Sequence, residues 1–468
     1  MANIWEELRA SYWFIPAVMA AAAAVMAILM TEVDRRVDAN WVREFQWLYR
    51  GGSDGAREVL STTAVSMLSV AGVTFSITIV ALTLGANLFG PRLLRTFMRD
   101  RGSQIALGTF IATFLYCLLV LRTVRGENDD FDVHRFVPYL SVTLAVLLAV
   151  ASLGVLIYFI HHIAAMIQAT NVTAEVSREL HHAIDHLYPQ EFGRAPDRED
   201  QIDDMRRQLP PGFASGEGCI TIRAAGDEGY VQHLDDEVLM RCARKHDLLL
   251  LIVARPSRFI ARGDTILRVW GRSGAVPEID EELQAKLRGS FSVGPQRSLM
   301  QDVLYPIDQL AEMAVRALSP SLNDPFTAAQ CVERLGVALA EFAGRALPPA
   351  YRADDDGVLR VIAHPVRLPE ALDNAFDPIR DFARCSAIVL RLLAEALERV
   401  SAHLHRPDDR DALVSHARAL DHAMETCAGD SDAPGRGQLQ RFRAQLAVLL
   451  HRLESDQWRS SIQQEGPS

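Results

Sequence analysis

Hydrophobic positions in this chain cluster in its first third. Four uncharged apolar stretches, Tyr12–Met30, Thr62–Phe89, Ile105–Leu121 and Pro138–Ile160, follow one another within 160 residues. Each meets or approaches the roughly 17–25 residues that cross a hydrocarbon core about 30 Å thick, so the pattern predicts four transmembrane helices. The first is not read as a signal peptide, because Met1–Ser11 is net negative and the apolar run is long. The fourth continues without Gly or Pro to Tyr188, which predicts one helix about 75 Å long. Pro189–Gly216 is polar and reads as a linker. Next come short β-like runs at Cys219–Ala224, Tyr230–His233, Leu248–Ala254 and Ile266–Trp270, with helical spacing over Asp235–His246. From Asp280 the pattern is helical to the end, broken at 289–294, 319–325, 346–365 and 430–437.

The expected fold is therefore mainly α and integral to the membrane. A four-helix transmembrane bundle (1–170) leads through a helical extension and linker (171–216) to a cytoplasmic α+β domain. That domain comprises a small β-rich module (217–272) and a helical C-terminal part (280–460).

The second span carries a polar stripe. Thr62, Ser66, Ser69, Ser76, Thr83 and Asn87 are spaced 4, 3, 7, 7 and 4 residues apart, which at about 100° per residue places them within a sector roughly 100° wide. Thr74 and Thr78 form a shorter pair on the opposite side. Hydroxyls of this kind pack transmembrane helices together, or line a water-filled path; one helix alone does not decide. Beyond the span, Arg92, Arg95, Arg99 and Arg101 alternate with Leu94, Phe97 and Met98 as an amphipathic basic collar. Such a collar suits the headgroup layer, and as a ring in an oligomer it favours anions. Trp41, Phe45 and Leu48 predict a short interfacial helix in the first loop. The acidic cluster Glu127–Asp132 reads as solvated loop charge.

Charge separates the two halves. Residues 1–170 hold thirteen Arg and thirteen Asp/Glu, so the whole net charge of −11 lies in residues 171–468. That balance argues against a nucleic-acid partner, which needs a basic face. Arginine counting does not support the usual positive-inside assignment. The loops opposite the termini hold Arg35, Arg36, Arg43, Arg50, Arg57, Arg122, Arg125 and Arg135, against Arg9, the collar and Arg178 on the other side. Cysteine usage points elsewhere: Cys219, Cys242, Cys331, Cys385 and Cys427 are odd in number and show no paired spacing, as a reducing compartment permits. On that ground both termini are expected in the cytoplasm.

Catalytic motifs are not found: there is no G-x-S-x-G elbow, Walker loop, G-x-G-x-x-G or H-E-x-x-H. His182 and His186, at i and i+4 with Asp185 and Glu179 nearby, have no third or fourth ligand at metal spacing, so no metal is expected. Asn323 and Asp324 lie in Ser319–Pro325 between two helices. They read as a structural cap with Pro325 at the first helical position, or as part of a ligand site if Asp302 and Asp308 converge on them. The stretch Arg255–Asp264 resembles the turn of barrel-sandwich folds of the biotinyl and lipoyl type, without their Met-Lys-Met attachment site, so no covalent cofactor is expected.

Two runs are distinctive: VAGVTFSITIVALTLGANLFGPRLLRTFMRDRGSQIALGTFIATFLYCLLVLRTV, beginning at Val70, and RALSPSLNDPFTAA, beginning at Arg316. They resemble a bacterial family of predicted membrane proteins, domain-of-unknown-function family 2254, over most of the chain to about residue 400. The resemblance implies a four-span bundle with a large soluble domain in a bacterial plasma (inner) membrane, and no activity or catalytic residues. The expected function is a homo-oligomeric ion channel lined by the second span and gated by the soluble domain, with lipid and inorganic ions as partners and no cofactor. The alternative is a membrane-anchored sensor or scaffold. An enzyme has no motif behind it.

Overall fold

The computed structural model describes residues 12–36, 52–90, 100–125, 136–166, 168–189, 199–226, 228–429 and 436–455. It divides into two compact units, Met1–Val172 and Thr173–Ser468.

The first unit holds four helices long and apolar enough to cross a membrane: α1 (Phe14–Arg36), α2 (Ser53–Phe89), α3 (Arg101–Leu121) and α4 (Tyr139–Met166). The central one is α3, with half of its apolar window buried, against 22% for each of the others. The reason lies in its side chains: Phe110, Tyr116 and Cys117 are fully enclosed, and Gly108 admits α1 closely. A Cβ there would lie 2.6 Å from Met19 Sδ and 3.2 Å from Pro16 Cα. The outer helices expose Val, Ile, Leu and Phe, as lipid-facing surfaces do.

The fourth span does not continue unbroken. It ends at Met166, and α5 (Ala169–Leu187) starts after Gln168. No Gly or Pro causes the break. Asn171 Nδ2 donates to Ala165 O at 2.7 Å, while the amides of Asn171 and Val172 turn to Gln168 O. A side chain thus competes with the backbone for a helical carbonyl, and the expected single rod is two helices.

In the second unit, α5 contributes Val176, Leu180 and Ile184 to the core. After α6 (Glu199–Arg207) come β1 (Cys219–Arg223), β2 (Gly229–Leu234), α7 (Asp236–Lys245), β3 (Leu248–Ile252), β4 (Phe259–Ile260) and β5 (Thr265–Gly271). The turn into β4 passes through Ser257 in the left-handed region (φ 76°). Beyond Asp280 the chain is not purely helical. Between helices α8 (Glu281–Gly289), α9 (Leu304–Ala317) and α10 (Pro325–Ala343) lies β6 (Phe291–Gly294), and β7 (Tyr351–Ala353) and β8 (Leu359–Ile362) follow. The last two complete a five-stranded sheet ordered β1-β5-β3-β8-β7, in which only β3 and β8 are parallel; β4-β2-β6 form a second, antiparallel sheet. The sheet structure therefore reaches well past residue 272. Strand β5 is buried on both faces, with Trp270 1% exposed and its Nε1 donating to Glu217 O at 2.9 Å.

Helices α11 (Leu368–Phe382), α12 (Ala387–Ser401), α13 (Pro407–Gly429) and α14 (Arg436–Glu454) complete the unit. Gly336 lets α10 and α12 touch, since a Cβ there would sit 2.8 Å from Ala396 Cβ. Cys385 and Cys427 form a disulfide, with Cα atoms 5.3 Å apart. This overturns the expectation of unpaired cysteines. The bond ties a turn in which Arg384 and Cys385 both adopt positive φ to the end of α13.

Candidate functional site

The hydroxyl stripe of α2 points away from its own bundle. Thr62, Ser66, Ser69, Ser76, Thr83 and Asn87 are all exposed, whereas Thr74 and Thr78 on the opposite side are 1% and 6% exposed. Hydroxyls buried within the bundle are instead Thr74 and Thr78, together with the Thr113–Ser152 contact of 3.1 Å between α3 and α4. Val73 and Val80, 59% and 56% exposed, lie on the same face as the stripe. With them, positions 62, 66, 69, 73, 76, 80, 83 and 87 alternate in steps of four and three. That is the spacing of a helix seam made to meet another helix. Ser69 and Thr83 donate to the carbonyls of Val65 and Ile79 at 2.9 Å, which leaves their oxygens free to accept.

Carboxylates clamp both ends of the bundle. Asp34, near the end of α1, accepts from Leu140 N and Ser141 N at 2.9 Å and from Ser141 Oγ at 2.6 Å, capping α4 from 106 residues away. Asp100 caps α3 through Ser103 N at 2.7 Å and Gly102 N at 3.3 Å, and its Oδ1 lies 2.8 Å from His162 Nε2. Gly102 is required there, since a Cβ would approach His162 Nε2 to 2.6 Å. Asp100 before a helix is readable as a cap; the tie between Asp34 and Ser141 is not visible in sequence. Arg101 is exposed at the first turn of α3. Arg92, Arg95 and Arg99 lie outside the described residues, as do the first-loop aromatics and Glu127–Asp132.

In the second unit Asn323 and Asp324 build a helix start. Asn323 sits at φ 46°, and Asp324 accepts from Phe326 N, Thr327 N and Thr327 Oγ1. Burial pushes the Asp324 carboxyl up, but these three donors outweigh it and hold it below the usual value. Asp324→Ala is expected to cost about 1 kcal/mol. A depressed carboxyl stabilises fully above its unfolded value, near 4, and loses that contribution as pH falls through its folded value. The gap between wild type and variant in denaturant midpoint should therefore shrink below about pH 4.

Asp302 and Asp308 converge instead on Arg297. Its Nε lies 2.8 Å from Asp302, its Nη1 contacts Asp308, and its Nη2 donates to Ser257 Oγ at 3.1 Å. Asn374 completes the shell of Asp308 at 3.0 Å. His182 and His186 stack with ring centres 6.2 Å apart, Asp185 pairs with Arg345, and no group of three metal-ligating side chains occurs among the described residues.

Four helices long and apolar enough to cross a membrane, with a polar outer seam on α2, followed by an α+β unit, define the class of protein. The chain belongs to the family described as Predicted membrane protein (DUF2254), which it matches over residues 9–399. It is 28% identical over 434 residues to the uncharacterized proteins Rv1290c of Mycobacterium tuberculosis and Mb1321c of Mycobacterium bovis, covering 92% of this chain and 79% of theirs. No solved structure matches the chain.

Proposed function

We propose that the protein is a homo-oligomeric membrane pore for inorganic ions, non-enzymatic, with the outer face of α2 around the conducting path and the soluble unit as its regulatory part. The carrying observation is the exposed seam on α2, eight positions in alternating steps of four and three, six of them polar. Left against hydrocarbon, such a face wastes its hydrogen-bonding groups, most of all the Asn87 carboxamide. Facing copies of itself around water, it is satisfied. Arg101, with the collar arginines that precede it, supplies cations at one mouth and an anion bias.

The orientation we propose differs from the cytoplasmic one expected above, within the same bacterial inner membrane. The Cys385–Cys427 bond removes the cysteine argument for a reducing compartment, and the arginine count already leans the other way. The soluble unit and both termini are therefore assigned to the non-cytoplasmic side.

Single cysteines test the seam. At Ser69 and Ser76 they are expected to react with water-soluble thiol reagents in membranes and to cross-link neighbouring copies, while cysteines at the exposed apolar positions Leu68 and Phe75 do neither. Equal reactivity at all four, or monomeric protein throughout, would contradict the pore. One observation favours the sensor or scaffold reading: Ser69 and Thr83 donate to their own helix, which lowers the cost of facing lipid. Monomeric protein would move the assignment there.

A further inference from the structure

The soluble unit contains a cavity of about 1120 Å³, at the large end of ligand sites. It opens between the last turns of α7, strand β7, the end of α5 and the segment leading from β8 to α11. Its electrostatics run against those of its surroundings. Five full cations line it (Arg241, Arg244, Lys245, Arg255 and Arg352) against two carboxylates, Asp236 and Glu237, in the half of the chain that carries a net charge of −11. Arg241, Arg244 and Lys245 fall at i, i+3 and i+4, on one face of α7.

Arg255 is paired with Glu370; the other four cations are loosely held. Arg241 is 3.9 Å from Glu237 and Arg352 is 4.0 Å from Asp236. The Arg244–Asp355 pair is solvent-exposed on both sides, so it is worth little. Lys245 has no ion pair among the described residues. A phosphate, accepting several charge-assisted hydrogen bonds at once, displaces such contacts readily.

Much of the remaining lining is aliphatic, with Leu187, Met240, Ile252, Val253, Pro348 and Val366 half-buried around the cavity, and His186, Gln301 and His364 add neutral polar groups. Tyr188 is turned edge-on to Phe342 at 4.7 Å, and its hydroxyl donates to Val366 O at 3.0 Å, so its ring is not presented for stacking on a nucleobase. The geometry points to a binding site for a phosphorylated aliphatic compound. Its phosphates sit on Arg244, Lys245 and Arg352, and its chain lies along Met240, Ile252 and Val253. A lipid headgroup and a free phosphate ester share this chemistry. The inference is independent of conduction and of orientation.

The test uses full-length protein in phosphatidylcholine nanodiscs, titrated calorimetrically with geranyl diphosphate, inorganic pyrophosphate and geraniol. Geranyl diphosphate is expected to bind at least about tenfold more tightly than either fragment. Arg244→Gln/Lys245→Gln, two exposed positions, is expected to lose at least about tenfold of that affinity. Lys286→Gln, outside the cavity and paired with Glu282 at 2.6 Å, should retain it. Repeating the titration in nanodiscs containing phosphatidic acid separates the sources: competition assigns the site to a lipid headgroup, and its absence to a soluble ester. No binding of geranyl diphosphate, pyrophosphate binding as tightly, or wild-type affinity in the double variant would overturn the site.

Discussion

Asp302→Ala is expected to destabilise the soluble unit by about 3–5 kcal/mol, the usual penalty for removing one partner of a buried ion pair. Asp302 is 3% exposed and holds Arg297 through two oxygens, at 2.8 and 3.1 Å. Burial pushes its carboxyl up, against the pull of Arg297 and of the Tyr305 amide. The intact pair therefore contributes little net stability; the loss comes from leaving Nε and Nη2 of Arg297, whose side chain is 12% exposed, without the carboxylate they share, while Asp308 still meets Nη1. Asp302→Asn keeps an acceptor for Tyr305 N and should lose less. Arg297→Met/Asp302→Leu removes both charges and should recover part of the stability. Guanidinium unfolding in detergent, followed through the buried Trp270, measures all three. A loss below 1 kcal/mol for Asp302→Ala would mean that Arg297 is reached by water.

The second large effect lies at the disulfide. Cys385→Ser should cost about 2–4 kcal/mol, because the bond spans 42 residues and restricts the unfolded chain accordingly. It should also loosen the turn where Arg384 and Cys385 adopt positive φ. The same bond tests the orientation. If intact cells are quenched with an alkylating reagent and the protein is then unfolded under continued alkylation, four of the six cysteines should be modified: Cys117, Cys219, Cys242 and Cys331. Unfolding is needed because Cys331 is buried, which pushes its thiol up to about 12. Six modified cysteines would place the soluble unit in a reducing compartment and contradict the orientation proposed.

The four spans were legible because membrane crossing demands length and apolarity, and both are written directly in the chain. The first β runs were legible for a similar reason, being short and bounded by turn residues. The β7–β8 pair was not. Its strands have three and four residues, and β8 includes Arg360, which is buried only because Asp354 and Asp247 meet it at 2.8 and 2.6 Å. Nor was the helix break at Gln168, made by one Asn171 side chain, or the disulfide, whose partners sit 42 residues apart among an odd number of soluble-unit cysteines. The stripe on α2 could be read as a stripe, but its direction could not: that depends on which face of α2 the bundle covers, and it covers Thr74 and Thr78. The basic cavity was hidden for the same reason, since its cations come from α7, β7 and the turn after β3, separated by up to about a hundred residues.

Single-channel recording from purified protein in planar bilayers, wild type against Ser76→Leu/Thr83→Leu, tests the central claim most directly. The pore predicts discrete currents whose amplitude falls in the variant, with a reversal potential shifted toward that of the anion. Silence from a well-folded oligomer, under gradients of either ion sign and under applied tension, would contradict it.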